Sequence, residues 1–253
     1  MSLIVIENRG KSRIIRLNNA KRRNALSHEG YLDLTKALQE ADKDDSVSVV
    51  AITGSGNFYS SGNDIKAAMM SSATIEERAK GLRDLVRAFY TCRKILIGVV
   101  NGPAIGIAAT TLALCDIIYA EENAYFYTPF SALGLCAEGC SSYTFPKILG
   151  RTKASEMLIL NYKLTAQEAL RFNLVSSIFT LDKIDSVWAK IDEFARLPQQ
   201  SMMITKSLMQ KFDIDQLEVA NNAELVAVME RITSEESINA AREFLQKKER
   251  SSL

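Results

Sequence analysis

Apolar and polar residues alternate in short, regular blocks along the first half of the chain. The apolar blocks Leu3–Glu7 and Ser12–Leu17 flank the turn-forming Asn8–Lys11, which predicts a β-hairpin. Apolar runs that predict buried strands then alternate with periodic stretches that predict helices: a helix capped by Ser27 and running to about Ala41, a strand over Val47–Ile52, a helix over Ile75–Arg93 and a strand over Ile95–Val100. Buried strands that alternate with helices indicate an α/β core.

Helical periodicity dominates after Thr144. The predicted helices are Ala154–Asn161, Thr165–Asn173, Ile184–Leu197, Gln199–Lys211, Asp215–Ile232 and Glu235–Lys248. Pro198 interrupts this series, but no Gly-, Ser- or Pro-rich linker separates its two sides. We therefore predict one domain, with a core over residues 1–197 and a helical region over residues 198–253.

The composition and net charge exclude some kinds of protein and of binding partner. The 253 residues include 31 Lys and Arg, 30 Asp and Glu, and 47% hydrophobic residues, with a net charge of +1. This balance excludes a disordered chain and argues against a nucleic acid or an anionic membrane as partner. The longest nearly apolar stretch, Ala104–Cys115, is too short for a membrane helix, which needs about 20 residues. We therefore expect no membrane span.

The sequence gives little support for a metal site or for a Ser-His-Asp catalytic triad. The four cysteines lack the paired spacing of zinc sites, and His28 is the single histidine. A Ser-His-Asp triad would depend on His28, but the sequence has no Gly-x-Ser-x-Gly motif. We expect no metal site and interpret His28 as an ordinary residue at a helix end.

Two glycine-containing loops follow buried strands, at Phe58–Ile65 and Val100–Ala109. Gly62 allows a tight turn and a close approach by a ligand. The second loop leads into a predicted helix, whose first N–H groups have no partner within the helix. Two such loops facing each other can bind a developing oxyanion, although tight connections between strands and helices have the same pattern.

Four motifs in this order and spacing resemble the crotonase (enoyl-CoA hydratase/isomerase) superfamily. They are Ser60–Asp64, Asn101–Gly106, Cys115–Ala120 and Glu138–Cys140. The resemblance covers nearly the whole chain. It implies an α/β crotonase-like spiral of ββα units, C-terminal helices that mediate trimers, and acyl-CoA thioester substrates.

The resemblance also implies the parts of the site. An oxyanion hole would be formed by the backbone N–H groups of Asn63 and Ile107. The substrate-binding residues implied by the same motifs are Ser60, Ser61, Gly62, Asn63, Asp64, Gly106 and Ile107.

The carboxylates distinguish the chemistries of this superfamily. Enoyl-CoA hydratases use two glutamates, and the matching positions here are Thr110 and Phe130, so hydratase activity is not expected. Glu138 lies in a mostly apolar loop, where burial would raise its pKa toward that of a general base, although a solvated or helix-capping glutamate has the same pattern. The segment Glu138–Lys147 resembles peroxisomal-type 3,2-trans-enoyl-CoA isomerases, in which this glutamate is the base.

We therefore expect an isomerase that moves the 3-cis or 3-trans double bond of enoyl-CoA to the 2-trans position, in β-oxidation of unsaturated fatty acids. The resemblance implies no cofactor, because coenzyme A is part of the substrate. The alternatives are another crotonase-type enzyme, such as a weak enoyl-CoA hydratase or a dienoyl-CoA isomerase, and a non-catalytic acyl-CoA-binding protein.

Two expectations concern assembly and location. An apolar stripe along the predicted helix Asp215–Ile232 and the residue before it would form a homotrimer interface, or else cover the core of its own subunit. Its members are Ile214, Leu217, Leu225, Val228 and Ile232. Ser251–Leu253 resembles the peroxisomal address Ser-Lys-Leu with Ser in place of Lys, so we expect a peroxisomal protein, with the mitochondrion as alternative.

Overall fold

The computed structural model describes residues 2–250, without the side chains of residues 247–250. Ser251–Leu253, the predicted peroxisomal address, lies outside the described residues. Within them the strands are β1 (Ile4–Arg9), β2 (Ser12–Leu17), β3 (Val49–Gly54), β4 (Ile95–Val100), β5 (Ala104–Ile105), β6 (Ile117–Glu121), β7 (Tyr125–Tyr127), β8 (Lys163–Thr165) and β9 (Ser177–Phe179). The α-helices are α1 (His28–Lys43), α2 (Ile65–Met70), α3 (Ile75–Thr91), α4 (Ile107–Leu112), α5 (Ser141–Leu149), α6 (Arg151–Leu158), α7 (Ala166–Arg171), α8 (Ile184–Phe194), α9 (Gln199–Gln210), α10 (Ile214–Ile232) and α11 (Glu235–Arg250).

The main sheet has six strands in the order β1-β2-β3-β4-β6-β9, and a smaller sheet has the order β5-β7-β8. In the main sheet, β1 and β2 form the predicted antiparallel hairpin, and all later neighbours are parallel. Parallel neighbours place the ends of successive strands along one edge, from which the loops after β3 and β4 emerge. The α/β class predicted from the sequence is therefore confirmed.

Burial on both faces explains the continuous apolar runs of the central strands. Along β3, Val50 and Ile52 face the larger core cluster, which packs against α1 and α3. Val49 and Ala51 face a second cluster that includes Trp188 of α8. Every residue of β3 is buried, so no polar alternation marks this strand in the sequence.

Side-chain caps fix the residues at which the two helices beside the site begin. Ser27 accepts a hydrogen bond from the N–H of Gly30 and begins α1, as predicted. Thr74 and Glu77 form a capping box at the start of α3. Near its other end, α3 is joined to α10 through Tyr90, whose hydroxyl donates to the carboxylate of Glu218 at 2.6 Å.

The second half contains two strands that helical periodicity does not reveal. β8 falls where the helix Thr165–Asn173 was expected to begin, and β9 forms an edge of the main sheet. Each has three residues, which is too short for a period to emerge. Among the described residues, no helix combines enough length and apolar character to cross a membrane.

The predicted trimer stripe packs within its own chain. Leu217 is buried, and Ile214 and Leu225 pack against the larger core cluster. Val228 and Ile232 line a cavity of the same subunit. These intramolecular contacts favour the alternative that the stripe covers the core of its own subunit, and the homotrimer interface stays a prediction.

Candidate active site

The two predicted loops are joined by their main chains. Ser60 pairs with Ala104 in an isolated parallel bridge, through backbone hydrogen bonds of 3.2 and 3.0 Å. Because the paired segments run in the same direction, the third residue beyond the bridge is Asn63 on one loop and Ile107 on the other. The bridge thus brings the two predicted oxyanion-hole residues onto neighbouring segments.

Two glycines allow these loops to approach each other. Gly62 has φ +77°, and a Cβ at this position would lie 2.4 Å from the carbonyl oxygen of Ile105. Gly106 has φ +58°, a conformation that side chains disfavour. A side chain at position 62 would collide with the facing loop, and one at position 106 would be strained by its backbone conformation alone, so both loops keep their shape through glycine.

The N–H groups of Asn63 and Ile107 have no acceptor in the part of the chain that the structure describes. The bridge between Asn63 and Leu26 uses the carbonyl of Gly62 and the N–H of Asp64, so the Asn63 N–H is not used. Ile107 is the first residue of α4, where the helix provides no partner. Two free N–H donors on adjacent loops suit the stabilisation of an oxyanion.

Glu138 lies in the loop before α5, and only 6% of its surface is exposed. Its carbonyl accepts a hydrogen bond from the hydroxyl of Ser141 at 2.8 Å. Gly139 follows with φ +72°, and a Cβ there would lie 2.3 Å from Oγ1 of Thr110 and 3.0 Å from Cδ1 of Ile107. Glu138 is therefore next to a residue that packs directly against the first turns of α4.

The surroundings of Glu138 favour its protonated form. Burial, followed by the negative charge of Glu224, raises the pKa of Glu138 from 4.5 to about 7. The side chain of Asn63 opposes this rise, because its Nδ2 donates to Oε1 of Glu138 at 3.0 Å. A carboxyl group with a pKa near 7 can exchange protons near neutral pH. The rise expected from the sequence is therefore confirmed.

Tyr31 of α1 orients the Asn63 side chain. Its hydroxyl donates to Oδ1 of Asn63, so the Nδ2 group faces Glu138. Burial and the charge of Glu138 raise the pKa of Tyr31 well above its ordinary value, which keeps the hydroxyl protonated. The result is a hydrogen-bonded series from Tyr31 through Asn63 to the carboxylate.

A cavity of about 440 Å³ extends from this series. Tyr31, Asn63, Asp64 and Glu138 contribute polar groups to its wall. The apolar part of the wall comes from the start of α1, from α2, from α3 and from α10, and it includes Leu26, Ala68, Ile75, Leu82, Val228 and Ile232. A mainly apolar cavity with a few convergent polar groups suits an acyl chain attached to a reactive head.

The remaining predicted binding residues support the loops. Ser60 and Ser61 do not line the cavity. Their hydroxyls donate to the carbonyls of Asn24 (2.7 Å) and Arg22 (3.4 Å). Asp64 accepts from the N–H of Ala67 and so begins α2, and it pairs with Arg22 at 3.1 Å. Their contacts are those of residues that shape the site.

The sequence alone does not reveal Tyr31 or the contribution of α10 to the cavity. Tyr31 lies on the buried face of an amphipathic helix, where an aromatic residue is expected for packing alone. The α10 residues belong to the stripe assigned to assembly. Among the described residues, no group of three or more His, Cys, Asp or Glu side chains is arranged to hold a metal ion.

Comparison with known proteins finds similarity over nearly the whole chain. A sequence model of the enoyl-CoA hydratase/isomerase family matches residues 10–251. The chain is 42% identical over 250 residues to enoyl-CoA delta isomerase 2 of Rattus norvegicus, a match that covers 97% of this chain and 64% of that protein. It therefore spans less than two thirds of this relative.

A second relative and a solved structure agree with this similarity. The chain is 41% identical over 244 residues to the peroxisomal enoyl-CoA delta isomerase 3 of Mus musculus, covering 94% of this chain and 77% of that protein. The crystal structure of an enoyl-CoA hydratase/isomerase from Pseudoalteromonas atlantica T6c matches with a TM-score of 0.91 and 27% identity, covering 97% of this chain and 98% of that one. Sequence and fold thus point to the same family.

Proposed function

The chain belongs to the enoyl-CoA hydratase/isomerase family, and we propose that it is an enoyl-CoA isomerase that moves a 3-cis or 3-trans double bond to the 2-trans position. The observation that carries this proposal is one buried carboxylate, Glu138, with a pKa raised to about 7, next to two loops with free N–H donors. The names of the relatives support the same reaction. We assign the activity to β-oxidation of unsaturated fatty acids.

The loops would act on the thioester carbonyl. We assign its oxygen to the N–H groups of Asn63 and Ile107, with the acyl chain in the cavity. Loss of the α-proton places negative charge on this oxygen, and fixed donors aimed at it lower the barrier. In other oxyanion holes, removing one donor costs about 3–4 kcal/mol.

Glu138 would transfer the proton. As a carboxylate it takes a proton from C2, and the C–H electron pair spreads over the carbonyl and the double bond to give a dienolate. The same carboxyl group returns the proton to C4, so the double bond moves to C2–C3 and Glu138 is again ionised. One base suffices because a single proton moves between two carbons of one conjugated system. The step consumes no water and requires no redox cofactor or metal.

The positions that match the two hydratase glutamates support isomerisation over hydration. The hydroxyl of Thr110 donates to the carbonyl of Ile107 at 3.2 Å, and Phe130 is a buried apolar residue. Neither side chain can act as an acid or base on water. Addition of water to 2-enoyl-CoA would therefore lack both of the carboxylates that hydratases use.

The test is to incubate the protein separately with 3-enoyl-CoA and 2-enoyl-CoA and to identify the products. We expect 2-trans-enoyl-CoA from the first and no 3-hydroxyacyl-CoA from the second. Glu138→Gln should reduce turnover by about 10²–10⁴-fold, the usual contribution of general acid–base catalysis. Thr110→Ala, at a position that lacks the hydratase glutamate, should stay close to the wild type. Near-normal turnover in folded Glu138→Gln protein would refute the mechanism.

We also propose a homotrimer built by the C-terminal helices, through residues other than the predicted stripe. Leu208 and Met209 of α9, Phe212 just beyond it and Val219 of α10 are exposed apolar side chains, with 82% exposure for Phe212. Large apolar side chains left exposed on these two helices favour an interface between subunits. Light scattering should give the mass of a trimer, and a monomer at micromolar concentration would contradict this proposal.

For location we propose the peroxisome. The mouse relative that is named peroxisomal supports this proposal. Imaging of the tagged protein with and without Ser251–Leu253 tests it. Peroxisomal signal that persists without these residues would refute their role as the address, and mitochondrial signal would favour the alternative location.

A further inference from the structure

A second carboxylate, Glu224 of α10, is buried close to Glu138. Only 7% of its surface is exposed. Its Oε2 accepts from the N–H of Cys140 and its Oε1 accepts from the N–H of Ser142, each at 2.7 Å. In the described part of the chain no Lys or Arg forms an ion pair with it. Backbone N–H groups at the start of α5 are thus its observed hydrogen-bond donors.

These N–H groups belong to the turn that carries Glu138. Gly139 has φ +72° and Cys140 has φ +61°, so two successive residues are left-handed. This conformation is unfavourable for a residue with a side chain, such as Cys140, and it persists only when surrounding contacts hold it. Glu224 binds the turn on both sides of Ser141, whose hydroxyl in turn binds the Glu138 carbonyl at 2.8 Å. Glu224 of α10 therefore binds the turn from which the Glu138 side chain extends.

We propose that Glu224 is a positioning residue for Glu138. It holds the turn that aims the base, and its negative charge strengthens Glu138 as a proton acceptor. The proposal rests on the proposed function, because it assigns Glu224 a role in the same proton transfer. This role also explains why the Glu224 carboxylate lies in the core with no ion-pair partner among the described residues.

Glu224 and Glu138 accept different hydrogen-bond donors, and this gives the two carboxylates different roles. Glu224 accepts two N–H donors at a helix start, where the helix dipole also favours an anion. Glu138 accepts one side-chain donor, from Asn63. Burial raises the pKa of Glu224 as well, but the N–H groups of Cys140 and Ser142 oppose this rise. Glu138 has the single Asn63 donor and a pKa raised to about 7, so Glu138 is the group that takes up the proton.

The titratable groups around the pair are few. Tyr31 of α1, Cys136 of the same loop and Glu224 of α10 face Glu138. Cys136 and Cys140 also face Glu224, and burial raises the pKa of both thiols, so they remain neutral. Among the described residues, Glu224 is therefore the charged group that raises the pKa of Glu138.

The experiment compares Glu224→Gln, Glu224→Asp and Glu218→Gln with the wild type. Glu218→Gln is the matched control, because it removes a hydrogen-bonded carboxylate from the same helix. The readouts are kcat and KM across pH, and the titration of the Glu138 carboxyl by ¹³C NMR. The signal of Glu138 is the one that Glu138→Gln lacks. The NMR titration does not require turnover, so it tests Glu224 even if the wild type fails to isomerise 3-enoyl-CoA.

In Glu224→Gln we expect the midpoint of the Glu138 carboxyl titration to fall by about one pH unit, because a nearby negative charge is lost. We expect kcat to fall at least about tenfold through misplacement of the base, with little change in KM. Glu224→Asp retains the charge but cannot reach both N–H groups, so its midpoint should stay near the wild type while kcat falls. Glu218→Gln should lose stability and leave both readouts unchanged.

An unchanged midpoint and kcat in folded Glu224→Gln would overturn the proposal. If that variant does not fold, wild-type kcat in Glu224→Asp would overturn it instead, because the hydrogen bonds of Glu224 to the turn would then be dispensable. Failure of the wild type to isomerise 3-enoyl-CoA would refute the proposed function separately.

Discussion

Replacing Glu138 by glutamine should stabilise the protein at alkaline pH while it removes the base. The wild-type carboxyl has a pKa of about 7 in the folded chain and an ordinary value of 4.5. Because one pKa unit corresponds to about 1.4 kcal/mol, ionising the buried group lowers the free energy of unfolding by about 3 kcal/mol. The substituted glutamine side chain carries no charge and keeps an oxygen for the Asn63 donor, so the variant avoids this loss.

The sign follows from the two protonation states. Below pH 4.5 the carboxyl is protonated in the folded and unfolded chains, and the variant and the wild type should differ little. Between pH 4.5 and about 7 the unfolded chain releases the proton first, so the wild type loses stability relative to the variant. Above about pH 7 the difference reaches its full value.

The assay is thermal unfolding of both proteins at equal concentration from acid to mildly alkaline pH. For a chain of this length, about 3 kcal/mol corresponds to a Tm difference of roughly 6–12 °C. Glu218→Gln should show the opposite slope, because the hydroxyl of Tyr90 lowers the pKa of Glu218 and its contribution is lost as pH falls. A Tm difference for Glu138→Gln that stays constant within about 1 °C across this range would refute the argument.

Three further outcomes follow from the geometry. Because Glu138 must be ionised to accept a proton, kcat/KM should rise with pH and level off above about 7 in steady-state assays. Tyr31→Phe frees the Asn63 amide to turn its oxygen toward Glu138, so kcat should fall about tenfold with less change in KM. Gly139→Ala places a Cβ 2.3 Å from Oγ1 of Thr110, which should cost about 1–3 kcal/mol in chemical unfolding and also reduce kcat.

The strands and helices that the sequence predicts best are those with a strong period or a continuous apolar run. β4 has the bounds expected from its apolar residues, and α1 begins after the expected cap, Ser27. β9 cannot be predicted in this way, because its three residues form a strand only by pairing with β6, which is distant in sequence. Tertiary pairing of this kind leaves no local signal.

The candidate site also combines residues that the sequence reveals with residues that only the fold brings there. Glu138 and the two loops could be identified because each lies in a contiguous motif that resembles a family. Tyr31 and Glu224 could not, because α1 and α10 bring them to the site only in the folded chain. In the sequence, Glu224 precedes the apolar Leu225 and has the pattern of an ordinary polar position on a helix.

The donors of the candidate oxyanion hole are main-chain atoms, and this alters which substitutions the site tolerates. Any amino acid except proline presents the same N–H at positions 63 and 107. The restriction falls on the residues before them, since Gly62 and Gly106 are the positions with positive φ. Random mutagenesis should therefore find glycine nearly fixed at 62 and 106, whereas 107 should accept other apolar residues that fit its buried place in the core. The oxyanion hole does not use the side chain at position 63, and here the amide of Asn63 donates a hydrogen bond to the carboxylate of Glu138.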